Sequence, residues 1–311
     1  MNKQKLLRPL CGIVPPMITP LKDRDTLDLE GLEKLVEHIL AGGVQGLFIM
    51  GTTGEGPSLS YRLRRELVAE TCRLVRSRTP VLVGISDTAF EESLGVARFS
   101  ADAGSDALVV APPYYMPEGQ PELREYLAHL LAELPLPLYL YNMPPLTKVS
   151  FELETVRWAM DQEKILGLKD SSGSMIYFNQ VRTLLRHRPD WTLLIGPEEL
   201  LAESVLLGGH GGVSGGANVF PGLFVELYRA AREGDLKRTR ALQVLALQVG
   251  EKLYHIGRHS SAIIKGIKCA LECLGVCDDF MAEPFHKFRA SERRMIEKAM
   301  EELVPLIKRK T

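Results

Sequence analysis

Short apolar runs rich in β-branched residues alternate along the chain with stretches in which apolar residues recur every three or four positions. Eight runs predict strands: Gly12 to Thr19, Gln45 to Met50, Pro80 to Ser86, Asp106 to Ala111, Pro137 to Asn142, Ile165 to Lys169, Thr192 to Gly196 and Gly211 to Gly215. Between them, Leu29 to Ala41, Tyr61 to Arg76, Phe90 to Ala103, Glu122 to Glu133, Glu152 to Asp161, Met175 to His187 and Glu198 to Leu207 predict helices. Parallel strands need such crossovers, and an eighth strand closes the sheet on itself. The predicted fold is therefore α/β, a (β/α)8 TIM barrel. A doubly wound open sheet competes, but it usually has fewer strands and a phosphate fingerprint after the first, where this chain has Pro20-Leu21-Lys22-Asp23.

After the eighth strand the pattern is helical only: Pro221 to Arg232, Leu236 to Tyr254, Ser261 to Leu274 and Ser291 to Lys308. Residues 1–232 are expected to form the barrel, with its active site at the C-terminal ends of the strands. Residues 233–311 are expected to form a C-terminal helical extension, packed on the barrel or on a neighbouring subunit.

Composition narrows the class of protein. The chain has 311 residues, 45% hydrophobic and 25% charged, enough apolar material for a large core. A formal charge of -1 supplies no field for nucleic acid or an anionic membrane, and the terminal Lys308-Arg309-Lys310 is too short to change that. The start, Met1 to Arg8, lacks a signal peptide's apolar stretch, and no run approaches the roughly 20 apolar residues of a membrane span, so a cytoplasmic location is expected. Five cysteines, Cys11, Cys72, Cys269, Cys273 and Cys277, suggest reduced thiols rather than a disulfide framework. The last three, spaced by four, form a stripe if all lie on one helix, but match no usual zinc spacing even with His286 nearby. His255 and His259 lack the glutamate of HExxH and read as a polar helix end. No metal is expected.

Candidate chemistry gathers where the strands end. Lys169 closes the run Ile165 to Leu168 and precedes Asp170-Ser171-Ser172-Gly173. Burial there favours the neutral, nucleophilic amine that Schiff-base formation on a carbonyl requires, although an isolated lysine at a strand end is more often a solvated rim residue. One strand earlier, Leu138-Tyr139-Leu140-Tyr141 alternates, so leucines facing the outer helices point Tyr141 into the barrel mouth beside Lys169. A phenol there can move protons; it can also be an ordinary core tyrosine. Strand two ends in Gly51-Thr52-Thr53-Gly54-Glu55-Gly56, whose hydroxyls and N–H groups suit a carboxylate, although such a turn can be only a turn.

With Pro113-Tyr114-Tyr115, Tyr141-Asn142 followed by Pro144, and Gly208-Gly209-His210-Gly211-Gly212-Val213-Ser214, these segments resemble the dihydrodipicolinate synthase/N-acetylneuraminate lyase superfamily, in register from about Gly12 to Leu274. The resemblance implies a class I aldolase or synthase acting on pyruvate and an aldehyde or 2-oxo acid, without metal or organic cofactor. It implies that Lys169 forms the Schiff base, Tyr141 relays protons, and Thr52 and Thr53 hold the pyruvate carboxylate. Thr52 also links Tyr141 to Tyr115, which reaches into an adjacent subunit's site. Val213 stands where a backbone carbonyl lies near the lysine. A homotetramer, built as a dimer of dimers, is implied as well. Two other classes remain: a phosphate-binding barrel using Gly208 to Gly216, and a non-catalytic protein that kept the fold.

The second substrate is where the chain departs from dihydrodipicolinate synthase. Pro145 and Leu146 stand where that enzyme has an arginine two residues past the proline, and leucine cannot grip a carboxylate, although Lys148 could substitute. Strand seven ends in Gly196-Pro197-Glu198-Glu199, which aligns with acidic residues that hold the sugar chain in the lyase. Pro197 and two acids also suit the start of the next helix. Gly215 replaces the lyase's sugar-contacting serine. The expected reaction is aldol cleavage or condensation of a 2-keto-3-deoxy sugar acid or related hydroxy-2-oxo acid; dihydrodipicolinate synthase and N-acetylneuraminate lyase activities are the alternatives.

Overall fold

The computed structural model describes residues 6–257 and 259–309. The amino-terminal Met1 to Lys5, Arg258, and Lys310 of the basic terminus lie outside the described residues. Eight parallel strands form one sheet: β1 (Gly12–Ile13), β2 (Leu47–Ile49), β3 (Val81–Gly84), β4 (Ala107–Val110), β5 (Leu138–Asn142), β6 (Ile165–Asp170), β7 (Thr192–Ile195) and β8 (Gly211–Gly212). Each pairs with its sequence neighbour from β2 to β8, and β8 pairs back with β1 through Gly12–Gly211 and Ile13–Gly212. A bridge between Pro16 and Phe48 joins the remaining edges and closes the ring.

Strand one is shorter than its apolar run predicts. Pro15 and Pro16 have no N–H to donate, so the ladder stops at Ile13 and resumes only as separate bonds: the Phe48 N–H donates to the Pro15 carbonyl at 3.0 Å and that of Met17 to the Phe48 carbonyl at 2.8 Å. Strand eight is also shorter than predicted, because Gly215–Asn218 winds into a 3₁₀ turn. The segment after strand one forms a small antiparallel hairpin, Leu21–Asp23 with Thr26–Leu27.

Helices join the strands in the alternating order: α1 (Leu29–Ala41), α2 (Tyr61–Val75), α3 (Phe90–Ala103), α4 (Gln120–Glu133), α5 (Leu153–Met160), α6 (Met175–Leu184), α7 (Leu201–Leu206) and α8 (Pro221–Glu233). Their starts are written locally. Asp28 accepts from the Gly31 N–H, Ser60 from Leu63 and Ser174 from Tyr177, satisfying N–H groups that have no partner within the helix. Strand alternation then separates two cores. Leu138, Leu140, Leu168, Val110 and Ile195 face outward into the helix layer, whereas Phe48, Leu82, Val109, Tyr139, Tyr141 and Leu194 fill the barrel.

Three further helices follow among the described residues: α9 (Leu236–Tyr254), α10 (Ala262–Cys273) and α11 (Ala290–Lys308). Their apolar faces, including Leu242, Val249, Ile267, Ile296 and Leu303, join the same core as the barrel helices. The cysteine stripe is corrected here. Cys269 and Cys273 share α10, but Gly275, at φ +71, turns the chain out of the helix, and buried Cys277 lies beyond it. Among the described residues no group of three or more His, Cys, Asp or Glu is placed to hold a metal, and no helix is long and apolar enough to cross a membrane.

Candidate active site

The C-terminal ends of the strands open into a pocket of about 550 Å³. Thr52, Thr53, Tyr141, Lys169, Gly196, Glu198, Glu199 and Val213 all line it. Its outer wall comes from the extension: Tyr254 at the end of α9, Ser260 and Ser261, Ile263 and Ile264 on α10, and Phe285. A smaller cavity of about 240 Å³, around Cys72, Thr79 and Asp106, lies at the opposite end of the strands.

Parallel pairing sets Tyr141 of β5 directly beside Lys169 of β6. Lys169 is only 7% exposed, and its Nζ sits 3.9 Å from the centre of the Tyr141 ring and 5.2 Å from that of Phe48. Phe48 meets Tyr141 edge to face at 6.1 Å, which fixes the phenol ring against the barrel wall. The Tyr141 hydroxyl shares a 3.2 Å hydrogen bond with Thr52 Oγ1. Burial acts to raise the Tyr141 phenol, but the positive charge of Lys169 and hydrogen bonds with Thr52, Lys169 and Ser171 outweigh it and hold the phenol below the ordinary tyrosine value.

Asp170, next to the lysine, is fully buried and points away from the barrel's interior core. Asn142 Nδ2 donates to its Oδ1 at 2.9 Å, and the Ser172 amide and hydroxyl donate to its two oxygens. The Ser171 N–H in turn donates to the Asn142 carbonyl at 2.8 Å. This closed set of bonds fixes the turn that carries Ser171 to the pocket. Burial still raises the Asp170 carboxyl.

Glu198 occupies two positions at once. It opens a 3₁₀ turn, Glu198–Leu200, leading into α7, and it also faces the pocket. It is 4% exposed, with Tyr254 Oη donating to Oε1 at 2.6 Å and the Gly216 N–H to Oε2 at 2.8 Å. Burial pushes its carboxyl up to about 7, against the opposing pull of those two hydrogen bonds. Glu199 is exposed on the pocket rim. Lys148 is not drawn in: its ammonium donates to the Pro145 carbonyl at 2.8 Å and lies outside the lining, while Leu146 lies within it. Tyr115 is 86% exposed and is not brought to this pocket by its own chain.

Neither Tyr254 nor the Ser260 to Ile264 wall is marked by a local sequence signal. Tyr254 reads as the last residue of an ordinary amphipathic helix, and its hydroxyl finds Glu198 across 56 residues of chain.

A lysine and a phenol in contact at the C-terminal mouth of a parallel barrel, beside a Gly-Thr-Thr-Gly turn, can be compared with known proteins. Residues 9–303 match the dihydrodipicolinate synthetase family. The chain belongs to that family. A probable 2-dehydro-3-deoxy-D-pentonate aldolase of Escherichia coli K12 is 31% identical over 87% of this chain and 89% of its own. The solved structure of dihydrodipicolinate synthase from Bacteroides thetaiotaomicron is 53% identical, with a TM-score of 0.93, over 95% of this chain and 99% of that one. A prophage protein of the dihydrodipicolinic acid synthase family from Escherichia coli K12, solved in complex with pyruvate, is 27% identical, with a TM-score of 0.89, over 95% and 99%. The chain is thus a class I lyase of the dihydrodipicolinate synthase/N-acetylneuraminate lyase family, whose characteristic chemistry runs through a lysine Schiff base.

Proposed function

We propose that this enzyme cleaves a 2-keto-3-deoxy sugar acid, or a related hydroxy-2-oxo acid, to pyruvate and an aldehyde, with Lys169 as the Schiff-base lysine. The Lys169 amine attacks the 2-oxo carbon, and loss of water gives an iminium that withdraws electrons from C3. Removal of the C4 hydroxyl proton then breaks the C3–C4 bond, leaving an enamine and a free aldehyde. Protonation at C3 and hydrolysis release pyruvate and regenerate the amine. Tyr141, in contact with the lysine and bonded to Thr52, is the proton carrier for these steps. Thr52 and Thr53 hold the substrate carboxylate, and Tyr115 serves the pocket of a neighbouring subunit in a dimer or tetramer.

One observation carries the choice of substrate. Among the described residues lining the pocket, Lys169 is the only cation, so nothing else there pairs with a second carboxylate, whereas Glu198, Glu199, Ser171, Ser260 and Ser261 offer partners for hydroxyls. The similarity to a probable 2-dehydro-3-deoxy-D-pentonate aldolase of Escherichia coli supports this reading. The 53% identity to the dihydrodipicolinate synthase of Bacteroides thetaiotaomicron favours a second, condensation of pyruvate with aspartate semialdehyde. A panel of 2-keto-3-deoxy acids assayed beside pyruvate plus aspartate semialdehyde separates them, and kcat/KM clearly higher for the semialdehyde would replace the first reading with the second. Borohydride reduction in the presence of pyruvate should add one adduct per chain at Lys169, and Lys169→Ala should abolish both trapping and turnover.

A further inference from the structure

The threonine turn after β2 is held in a conformation that its own sequence disfavours. Met50 and Glu55, which flank it, have φ of 58° and 56°, a left-handed region that side chains with a Cβ seldom occupy unless their surroundings enforce it. Within the turn, the Glu55 N–H donates to the Thr52 carbonyl at 3.0 Å and that of Gly56 to the Gly51 carbonyl at 3.2 Å. A Cβ at Gly56 would stand 2.3 Å from the Met50 carbonyl oxygen, so the two ends of the turn approach closely enough to require glycine there.

The side chain of Glu55 is held by residues from the far end of the sequence. The Glu55 and Lys268 side chains form an ion pair with no exposed surface on either. Glu55 Oε1 also accepts from the Ala282 N–H at 2.8 Å, and Lys268 Nζ donates to the Phe280 carbonyl at 2.6 Å. Lys268 lies on α10, one turn beyond Ile264, and the segment receiving these bonds leads to Phe285; Ile264 and Phe285 both line the pocket. A single buried pair therefore ties the Thr52–Thr53 turn to the helical wall opposite it. Breaking one half would leave the other charged and dry, with only a backbone hydrogen bond in place of its counter-ion, an arrangement that costs far more than the intact pair.

We propose that Glu55 and Lys268 are positioning residues: the pair sets the Thr52–Thr53 turn for the substrate carboxylate and fixes the α10 wall at the matching distance. The proposal rests on the reading of Thr52 and Thr53 as the carboxylate cradle. Its function is to align groups that bind, so it predicts a loss of affinity at unchanged capacity for the covalent step.

The test is borohydride trapping of pyruvate across a concentration series, with the melting temperature measured in parallel. Glu55→Gln, nearly isosteric, should raise the pyruvate concentration for half-maximal trapping by at least tenfold while the maximal adduct stays at one per chain. The double variant Glu55→Gln with Lys268→Met removes both charges and leaves no ion stranded. It should melt close to the parent and still show at least a fivefold rise. A folded double variant with half-saturation within twofold of the parent would overturn the proposal and leave the pair a purely structural one. Thr53→Val is the control for the underlying reading. If Thr53→Val alone leaves half-saturation unchanged, the carboxylate cradle is wrong; if it raises half-saturation while the double variant does not, the cradle stands and the positioning role fails.

Discussion

Two titratable side chains carry the residue-scale argument. Tyr141 is held below its ordinary value by the charge beside it and by its hydrogen bonds, so its proton is more readily surrendered than a buried phenol's normally is. Tyr141→Phe keeps the ring that packs on Phe48 and removes only the hydroxyl. The fold should persist, while steady-state kcat falls by roughly 10²–10⁴-fold, the range for a lost proton-transfer group; kcat within threefold of the parent would remove Tyr141 from that role. Glu198 makes the opposite case. Its carboxyl lies near 7 in the folded chain against an ordinary 4.5, so the native state binds the proton more tightly than the unfolded state does. The favourable contribution is complete below about 4.5 and is lost as pH rises through about 7, a difference of roughly 3 kcal/mol. Glu198→Gln has no such proton to lose. The parent's melting temperature should therefore fall relative to this variant between pH 5 and pH 8, and parallel curves across that window would show that Glu198 is not protonated by burial.

At the scale of elements, the short helical turn Pro144–Thr147 after β5 presents Leu146 to the pocket, and the proposed selectivity is tested there. Leu146→Arg puts a guanidinium where a carboxylate-bearing aldehyde would be gripped. It should raise kcat/KM for aspartate semialdehyde relative to the 2-keto-3-deoxy acids by about tenfold or more, the scale of one charge-assisted hydrogen bond, and an unchanged ratio would detach selectivity from this turn. The strands and their order were legible in the sequence because each alternates or runs apolar between turn residues. The pairing of Tyr141 with Lys169 was legible too, once Leu138 and Leu140 were assigned to the helix layer. What escaped was non-local. Nothing near Tyr254 announces Glu198, and nothing near Lys268 announces Glu55, since a buried polar group is recognisable only when its distant partner is known. The length of strand one escaped for a different reason: apolar character extends to Thr19, but two prolines interrupt its hydrogen bonding.

The whole molecule exposes Tyr115 and Met116 at 86% and 74%, side by side on the loop after β4. Two adjacent large apolar groups in water are an unfavourable arrangement that a second subunit would relieve. If Tyr115 completes a neighbour's pocket, Lys169→Ala and Tyr115→Phe oligomers, dissociated and reassembled together, should regain up to about half of parental activity in the mixed species, as one intact pocket per reciprocal pair implies. Verified mixed oligomers with no regain would make each pocket self-sufficient. The closure of the barrel has a further consequence, for how the chain is made. The segment from Gly12 to Ile18 is bonded on one side by residues that follow it closely and on the other by Gly211, Gly212 and Asn218, some 200 positions later. At roughly 5–20 residues per second on the ribosome, this apolar stretch waits about 10–40 s for its last neighbours to be synthesised. The first strand to emerge is thus the last to be covered on both sides, and in the living cell that interval, rather than the finished barrel, is when this protein is most exposed to aggregation and most in need of a chaperone.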